Sequence, residues 1–167
     1  MFQKEVYVRR RQTLLKKMRD AGESGIVLFI GNAEAPAQYK DNCYKWRQDS
    51  SWLYFFGLDK PLYAAILDID SGAETIFADD VDIDDIIWMG PQPTVASLAA
   101  SVGVSGTAPY GALSNALSVV HKAGRKLHYL PLHVTTTRLS SWSSHTAPAL
   151  SAMFPGRSRR PSSPCVL

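Results

Sequence analysis

The chain has 167 residues, of which 46% are hydrophobic and 20% are charged, and these values are ordinary for a globular protein with one core. Its net charge of +3 lies entirely in the last 35 residues. Residues 1–132 carry 14 basic and 15 acidic side chains, whereas residues 133–167 carry four arginines and no acidic residue. The body of the chain therefore gives no reason to expect nucleic acid or an anionic membrane as a partner.

The sequence also indicates a cellular compartment. No apolar run reaches the length of about 18 residues that a membrane span needs. The first residues lack the apolar core of a secretion signal. Because Cys43 and Cys165 lie far apart, they define no disulfide framework. We therefore expect a cytoplasmic protein with reduced thiols.

An amphipathic helix is predicted over residues 4–21, and Gly22 ends it. Its predicted apolar face consists of Tyr7, Leu14, Met18 and Ala21. The basic residues predicted to cover the other faces are Arg9, Arg10, Arg11, Lys16, Lys17 and Arg19. A nucleic-acid patch is one interpretation of this cluster, but a solvated face or a face that docks another domain fits it better.

A mixed sheet is predicted from the strand patterns. Residues 25–30 form a continuous apolar run that is typical of a strand buried on both faces. Residues 62–70 and 73–78 flank a Ser-Gly turn and are predicted to form a hairpin, whereas residues 33–45 are predicted to form a loop. Two short helices and a last strand follow over residues 96–102, 113–123 and 126–130. This alternation predicts an α/β fold, a mixed β-sheet flanked by helices.

The most acidic stretch, residues 79–85, has two interpretations. The spacing of Asp80, Asp82 and Asp84 imitates the start of a calcium-binding loop. That loop needs glycine at its sixth position and a carboxylate at its twelfth, where this chain has an aspartate and Pro91. Acidic residues at the start of a short helix, where the helix dipole favours negative charge, explain the stretch better.

Residues 46–59 place polar side chains directly against an aromatic block. Five of these fourteen residues are Trp, Tyr or Phe, which bury large areas in cores and interfaces. We expect Trp52, Phe55 and Phe56 to be largely buried. The arginine and the aspartate that precede them would lie in a partly dry setting, where polar contacts are stronger. A core segment with one solvated ion pair is the alternative.

The run Arg-Gln-Asp-Ser-Ser-Trp-Leu-Tyr-Phe-Phe-Gly-Leu at residues 47–58 resembles the signature of the N-terminal domain of the aminopeptidase P / prolidase / creatinase family. Three further stretches match in order at residues 9–12, 31–34 and 86–90. The resemblance covers about residues 1–132 and implies the fold of that domain, with its ribonuclease H-like motif. It identifies the chain as similar to part of an Xaa-Pro aminopeptidase.

In this family a second, C-terminal domain performs the hydrolysis with two divalent metal ions, Mn or Zn, that activate a bridging water. This chain shows no phosphate loop, serine-hydrolase elbow or His-Glu-x-x-His motif, and its four histidines are scattered. We therefore expect no catalytic residue, no metal site and no activity in this chain alone. The implied partners are the catalytic domain, sister subunits and a peptide substrate. A stand-alone binding module and a domain of a creatinase-like hydrolase are the alternatives.

The resemblance also implies candidate site residues. Trp88 matches a tryptophan that lines the substrate pocket, where a flat apolar wall suits a proline ring, and we expect it to be partly exposed. Asp41 matches an acidic residue that approaches a neighbouring subunit's site. The other pocket or interface candidates are Arg47, Asp49, Trp52 and Tyr54. Of these, Arg47 and Asp49 are predicted to be structural, through an arginine–carboxylate contact that fixes the loop.

The composition changes at residue 133. Residues 133–167 contain 12 Ser and Thr, 4 Pro and no acidic residue, and their apolar residues lack periodicity. The resemblance also stops there. A disordered tail explains this composition, and so does a shifted reading frame that replaces the family's linker and catalytic domain.

Overall fold

The computed structural model describes residues 2–34, 43–81, 87 and 90–130 of the chain. The helices are α1 (Lys4–Asp20), α2 (Ser50–Phe55), α3 (Val95–Ser101) and α4 (Ala112–Lys122). The strands are β1 (Ile26–Ile30), β2 (Ala64–Asp68), β3 (Glu74–Phe77), β4 (Gly106–Ala108) and β5 (Leu127–Tyr129). No helix in these ranges is both long and apolar enough to cross a membrane.

The five strands form one sheet in the order β4-β3-β2-β1-β5. The pairs β1–β2 and β2–β3 are antiparallel, and the second pair is the predicted hairpin. The pairs β1–β5 and β3–β4 are parallel, and each follows a chain crossover that contains a helix. The prediction of a mixed sheet flanked by helices is therefore confirmed.

Helices cover both faces of the sheet. Val27 and Phe29 of β1 pack in a core with α1, α2 and α3. Ile26 and Leu28 point to the opposite face and pack in a second core with α4. Because side chains alternate along a strand, a strand between two layers of helices needs apolar residues at every position. This arrangement explains the continuous apolar run of β1 and confirms its predicted burial on both faces.

The buried face of α1 differs in part from the predicted one. Its buried residues are Tyr7, Arg11 and Leu15. Leu14 and Met18 are only partly buried against the core, and Ala21 lies exposed beyond the end of the helix. The core therefore contacts a face of α1 that is rotated from the one that apolar residues alone indicate.

Arg11 corrects the expectation that the basic residues of α1 face outward. Its side chain has no exposed surface. Its Nε donates to Glu74 Oε2 at 2.8 Å, and its two terminal nitrogens donate to Phe55 O at 3.0 Å and Val102 O at 2.9 Å. Burial lowers the pKa of Arg11 and raises the pKa of Glu74, because desolvation of each charge outweighs their attraction. Arg11 thus connects α1 to α2, β3 and the end of α3.

Two more arginines of α1 also make structural contacts. Arg10 donates to Tyr54 O at 2.7 Å, and Arg19 donates to Ile69 O at 2.6 Å. The other exposed basic side chains of α1 are Lys4, Arg9, Lys16 and Lys17. They share the exposed face with acidic residues of the same helix, so this face fits a solvated surface better than a nucleic-acid patch.

Ion pairs hold the end of the sheet where β2 ends and where β1 and β5 begin. Arg125 contacts both carboxylate oxygens of Asp68 at 2.8 and 2.9 Å, and it contacts Asp70 at 2.7 Å. Lys126 pairs with Glu23 at 3.0 Å. The hydrogen bonds from Arg125 lower the pKa of Asp68 to about 2. These contacts join the β2–β3 turn and the α1–β1 connection to the α4–β5 connection.

The described part of the acidic stretch has a different role from the predicted one. Asp80 Oδ1 accepts a hydrogen bond from Val95 N at 2.6 Å, and Asp79 Oδ1 accepts one from Tyr110 N at 2.9 Å. These carboxylates therefore bind the starts of α3 and of the turn before α4, both distant in sequence. The remainder of the acidic stretch, and residues 133–167, lie outside the described residues.

Candidate functional site

The opposite end of the sheet carries the loops that contain the sequence candidates. Ile30, the last residue of β1, pairs with Ala64, the first residue of β2, and Ala64 also pairs with Phe77, the last residue of β3. Because β5 is parallel to β1, it ends on the same side at Tyr129. We call this edge the loop end of the sheet. Its described residues are 31–34, 61–63, 78–81 and 130.

Hydrogen bonds of the Gln48 side chain link the signature segment, residues 47–58, to the loop end. Its side chain is 2% exposed, and its Oε1 accepts hydrogen bonds from Asn32 N at 2.6 Å and Asp49 N at 2.8 Å. Its Nε2 donates to Lys60 O at 2.6 Å. One amide therefore satisfies backbone groups before α2, after α2 and after β1. A Cβ on Gly31 would lie 2.9 Å from the backbone oxygen of Tyr63 and 3.0 Å from this amide, which favours glycine at this position.

Asp49 begins α2 as its N-cap. Its Oδ1 accepts hydrogen bonds from Ser51 N at 2.9 Å and Trp52 N at 3.0 Å. A carboxylate in this position satisfies donors that have no partner inside the helix and complements the helix dipole. Trp52 itself is fully buried, and its Nε1 donates to Leu58 O at 2.8 Å. Asp49 and Trp52 therefore have structural roles in the signature segment.

Arg47 lies on the surface beside the loop end. Its backbone carbonyl accepts a hydrogen bond from Asn32 Nδ2 at 2.7 Å, and its side chain is exposed. No carboxylate among the described residues forms an ion pair with its guanidinium. The loop is therefore held by the hydrogen bonds of the Gln48 amide and by the Asp49 cap. The charge of Arg47 faces outward.

Tyr54 lies on the outer side of α2, away from Asp49. Its ring is 52% exposed and lies under the guanidinium of Arg10 at 4.1 Å from the ring centroid. The same guanidinium lies 4.9 Å from the ring centroid of Phe2. A cation held between aromatic faces stabilises both rings on a surface. Tyr54 therefore joins α2 to the start of α1.

The burial of the aromatic block is confirmed for two of its three predicted members. Trp52 and Phe56 have no exposed surface, and their rings stack at 4.5 Å between centroids. Phe55 is only partly buried, although its ring lies 4.9 Å from that of Phe29. The reason is geometric: consecutive residues of a short helix point in different directions, so Phe55 cannot face the core as fully as Phe56.

Asp41 and Trp88 lie outside the described residues. The chain reaches Asp41 from β1 and Trp88 from β3, and the ends of these two strands flank the start of β2. Neighbouring strands are about 4.8 Å apart, so these two strand ends are about 10 Å apart.

Two described polar groups at the loop end, an amide oxygen and a hydroxyl, are in unusual surroundings. Asn32 Oδ1 is buried and has no hydrogen-bond partner among the described residues. Tyr63 precedes β2, and burial, with a smaller contribution from the Asp80 charge, raises the pKa of its hydroxyl. Within the described ranges, no three His, Cys, Asp or Glu side chains are grouped closely enough to hold a metal ion.

Sequence reasoning missed Gln48 and the role of Arg11. Gln48 stands between two charged candidates, and no periodicity distinguishes it from an exposed glutamine. Arg11 had a detectable signal, because it lies four residues after Tyr7 and four before Leu15, on the same helical face.

Comparison with known proteins agrees with this architecture. A family model described as the N-terminal domain of aminopeptidase P matches residues 7–128. The low-pH form of aminopeptidase P from Escherichia coli is 20% identical with a TM-score of 0.69, over 93% of this chain and 34% of that one. Aminopeptidase PepP from Pseudomonas aeruginosa is 20% identical with a TM-score of 0.66, over 95% and 36%. No curated protein sequence matches the chain.

The solved structures show the fold, and the family model shows the family. A third structure, zinc-substituted aminopeptidase P from Escherichia coli in complex with product, is 22% identical with a TM-score of 0.59, over 71% of this chain and 27% of that one. The chain thus spans about a third of the length of the enzymes that it matches. Because the family model covers most of the chain, the protein belongs to the family of aminopeptidase P N-terminal domains.

Proposed function

We propose that this chain is the non-catalytic N-terminal domain of a proline-specific metalloaminopeptidase, and that the complete enzyme releases the N-terminal residue from Xaa-Pro peptides. The observation that carries the proposal is the family match over residues 7–128. The share of the solved aminopeptidases that this chain covers, 34% and 36%, fits one domain of a larger enzyme.

In the complete enzyme, the loop end of the sheet would shape the substrate pocket and the oligomer. Trp88 would give the proline ring a flat apolar wall, and Asp41 would hold a substrate amino group in a neighbouring subunit's site. Exposed apolar side chains near this end, such as Leu62 and Leu130, are consistent with a surface that meets another domain.

The proposal assigns both divalent metal ions, Mn or Zn, to the catalytic domain. When bound there, they would activate a water molecule for attack on the peptide carbon. This chain would contribute recognition and shape, with no ligand of its own to either ion.

Sequencing the coding DNA beyond codon 132, in every frame, is the first test. We expect a frame that continues into a domain with Asp, His and Glu metal ligands. The complete protein, loaded with manganese, should hydrolyse an Xaa-Pro tripeptide and leave the matching Xaa-Ala tripeptide and creatine intact, whereas the present chain alone should hydrolyse none of them. Hydrolysis of creatine would instead support the creatinase-like alternative. A locus without a catalytic domain would support the stand-alone binding module.

Variants of the complete enzyme test the pocket assignment. Trp88→Ala should raise KM for the Xaa-Pro tripeptide about tenfold, because loss of an apolar contact of this size costs roughly 1–2 kcal/mol. Trp88→Phe should restore most of the affinity. Val119→Ala removes an exposed side chain on α4, at a distance from the loop end, and should leave KM unchanged. An unchanged KM in Trp88→Ala would contradict the pocket assignment.

A further inference from the structure

A cleft of about 580 Å³ lies between the start of α1, the turn after α2, and α3. Its apolar walls are formed by Phe2, Tyr7, Leu53, Gly57, Leu58 and Leu98. Asp59 and Lys60 line the same cleft and are both exposed. Sites for small ligands typically enclose about 300–1,000 Å³, with mainly apolar walls and a few polar groups. The cleft therefore has the size and composition of a small-molecule site.

The walls of the cleft are held in place by the surrounding contacts. Gly57 has a φ of +68°, and a Cβ there would overlap the ring of Tyr7, so only glycine lets the turn approach this closely. The Tyr7 hydroxyl accepts a hydrogen bond from Phe2 N at 3.0 Å, and Arg10 lies over the Phe2 ring at 4.9 Å. Phe2 is thus fixed as a wall although 63% of its surface is exposed.

The charged side of the cleft offers one negative and one positive group in adjacent residues. Trp46 Nε1 donates to Asp59 Oδ1 at 3.0 Å, which orients the carboxylate and leaves its Oδ2 available. Lys60 Nζ makes one long contact of 3.4 Å with Gln92 Oε1, so its ammonium retains other N–H groups for a ligand. Among the described contacts, Asp59 and Lys60 form no ion pair with each other, so two adjacent residues present opposite charges beside an apolar wall.

We propose that this cleft binds a free apolar α-amino acid such as leucine. The ligand's ammonium group would contact Asp59, its carboxylate would contact Lys60, and its side chain would lie against the apolar walls. An α-amino acid carries both charges on one carbon, beside its side chain, which matches the arrangement of the cleft. Charge-assisted hydrogen bonds supply the specificity. For so small a ligand at an open site, we expect a Kd on the order of 1 mM.

The binding does not rest on the proposed peptidase activity, because it uses only described residues of this chain. An apolar amino acid is nevertheless the class of product that such an enzyme releases. Occupancy of the cleft would therefore follow the local product concentration in the complete enzyme.

Ligand analogues give a test that needs no protein variant. The 167-residue chain, labelled with ¹⁵N, is titrated in turn with L-leucine, N-acetyl-L-leucine, L-leucinamide and glycine. Leucine should produce saturable amide shifts in residues that line the cleft. Each of the other three lacks one recognised group and should bind at least about tenfold more weakly. Saturation by N-acetyl-L-leucine or L-leucinamide at the same concentration as by leucine, or no shifts at about 10 mM leucine, would overturn the proposal.

Matched variants identify the charges responsible. Asp59→Asn keeps an acceptor for Trp46 but removes the charge, and Lys60→Met keeps the length of the side chain; each should weaken leucine binding about tenfold. Asp20→Asn and Lys17→Met change exposed charges on α1 and should leave binding unchanged. Thermal unfolding verifies that each variant is folded. Unchanged leucine affinity in both Asp59→Asn and Lys60→Met would overturn the assignment.

Discussion

Replacing Arg11 by methionine should destabilise the domain by about 3–5 kcal/mol at pH 7, which is the cost of removing one partner from a buried ion pair. Methionine preserves much of the apolar volume but none of the three hydrogen bonds. The carboxylate of Glu74, 15% exposed in its side chain, would lose its paired charge. The carbonyl groups of Phe55 and Val102 would each lose a donor as well.

The pH dependence identifies Glu74 as the source of most of this loss. Without Arg11, burial would raise the pKa of Glu74 further above its ordinary value of 4.5. The penalty for a buried negative charge disappears once the carboxyl group is protonated. The difference in unfolding free energy between Arg11→Met and the wild type should therefore shrink as the pH falls from 7 towards 4.

The stability of the wild-type domain should itself depend weakly on pH through the carboxyl group of Glu74. The pKa of Glu74 is already raised in the folded state, since desolvation outweighs the attraction of Arg11. A raised pKa contributes stability below pH 4.5, and this contribution is lost as the pH rises through the folded-state value. Glu74→Gln cannot ionise and should lack this slope.

Urea unfolding, followed by the fluorescence of buried Trp52, measures these free energies at each pH. Arg9→Met removes an exposed charge from the same helix and should change the unfolding free energy by less than about 0.5 kcal/mol. A loss below about 1 kcal/mol in Arg11→Met at pH 7, or a loss independent of pH, would refute the role assigned to the buried pair.

Three further variants test other contacts by the same measurement. Asp68→Asn should cost about 1 kcal/mol at pH 7, after allowance for solvent screening. Because Arg125 holds the pKa of Asp68 near 2, below its ordinary 3.8, this difference should vanish as the pH falls through about 2. Phe56→Ala should cost about 3–5 kcal/mol and Phe55→Ala less than half of that, and equal losses would contradict the burial difference. Gly57→Ala should cost at least about 2 kcal/mol, since its methyl group would meet a tyrosine ring, and a neutral result would contradict that contact.

Local patterns in the sequence were sufficient to predict a mixed sheet flanked by helices. The apolar run of β1, the turn between β2 and β3, and the periodicity of α1 each depend on residues within one or two turns of chain. The mixed sheet followed from their order, and the signature at residues 47–58 indicated the family. Such signals are visible in the sequence because the residues that define one helix, strand or turn are close together in the chain.

Contacts between distant residues could not be deduced in this way. Gln48 looks like any polar loop residue, yet three backbone groups depend on its amide. Arg47 and Asp49 were expected to be structural through an arginine–carboxylate contact. Asp49 is structural as the cap of α2, whereas Arg47 forms no ion pair among the described residues. Which polar side chain becomes buried depends on where unsatisfied backbone groups from other segments converge.

The sequence by itself therefore determined the family and most of the elements in their order, since these depend on hydrophobic spacing and local motifs, but α2 and β4 were not predicted. Tertiary structure decided which charged and polar residues are structural. The clearest case is Arg11, whose partners lie 44, 63 and 91 residues away along the chain. Its burial is tolerated because three segments supply acceptors at one point, and that convergence exists only once the domain has folded.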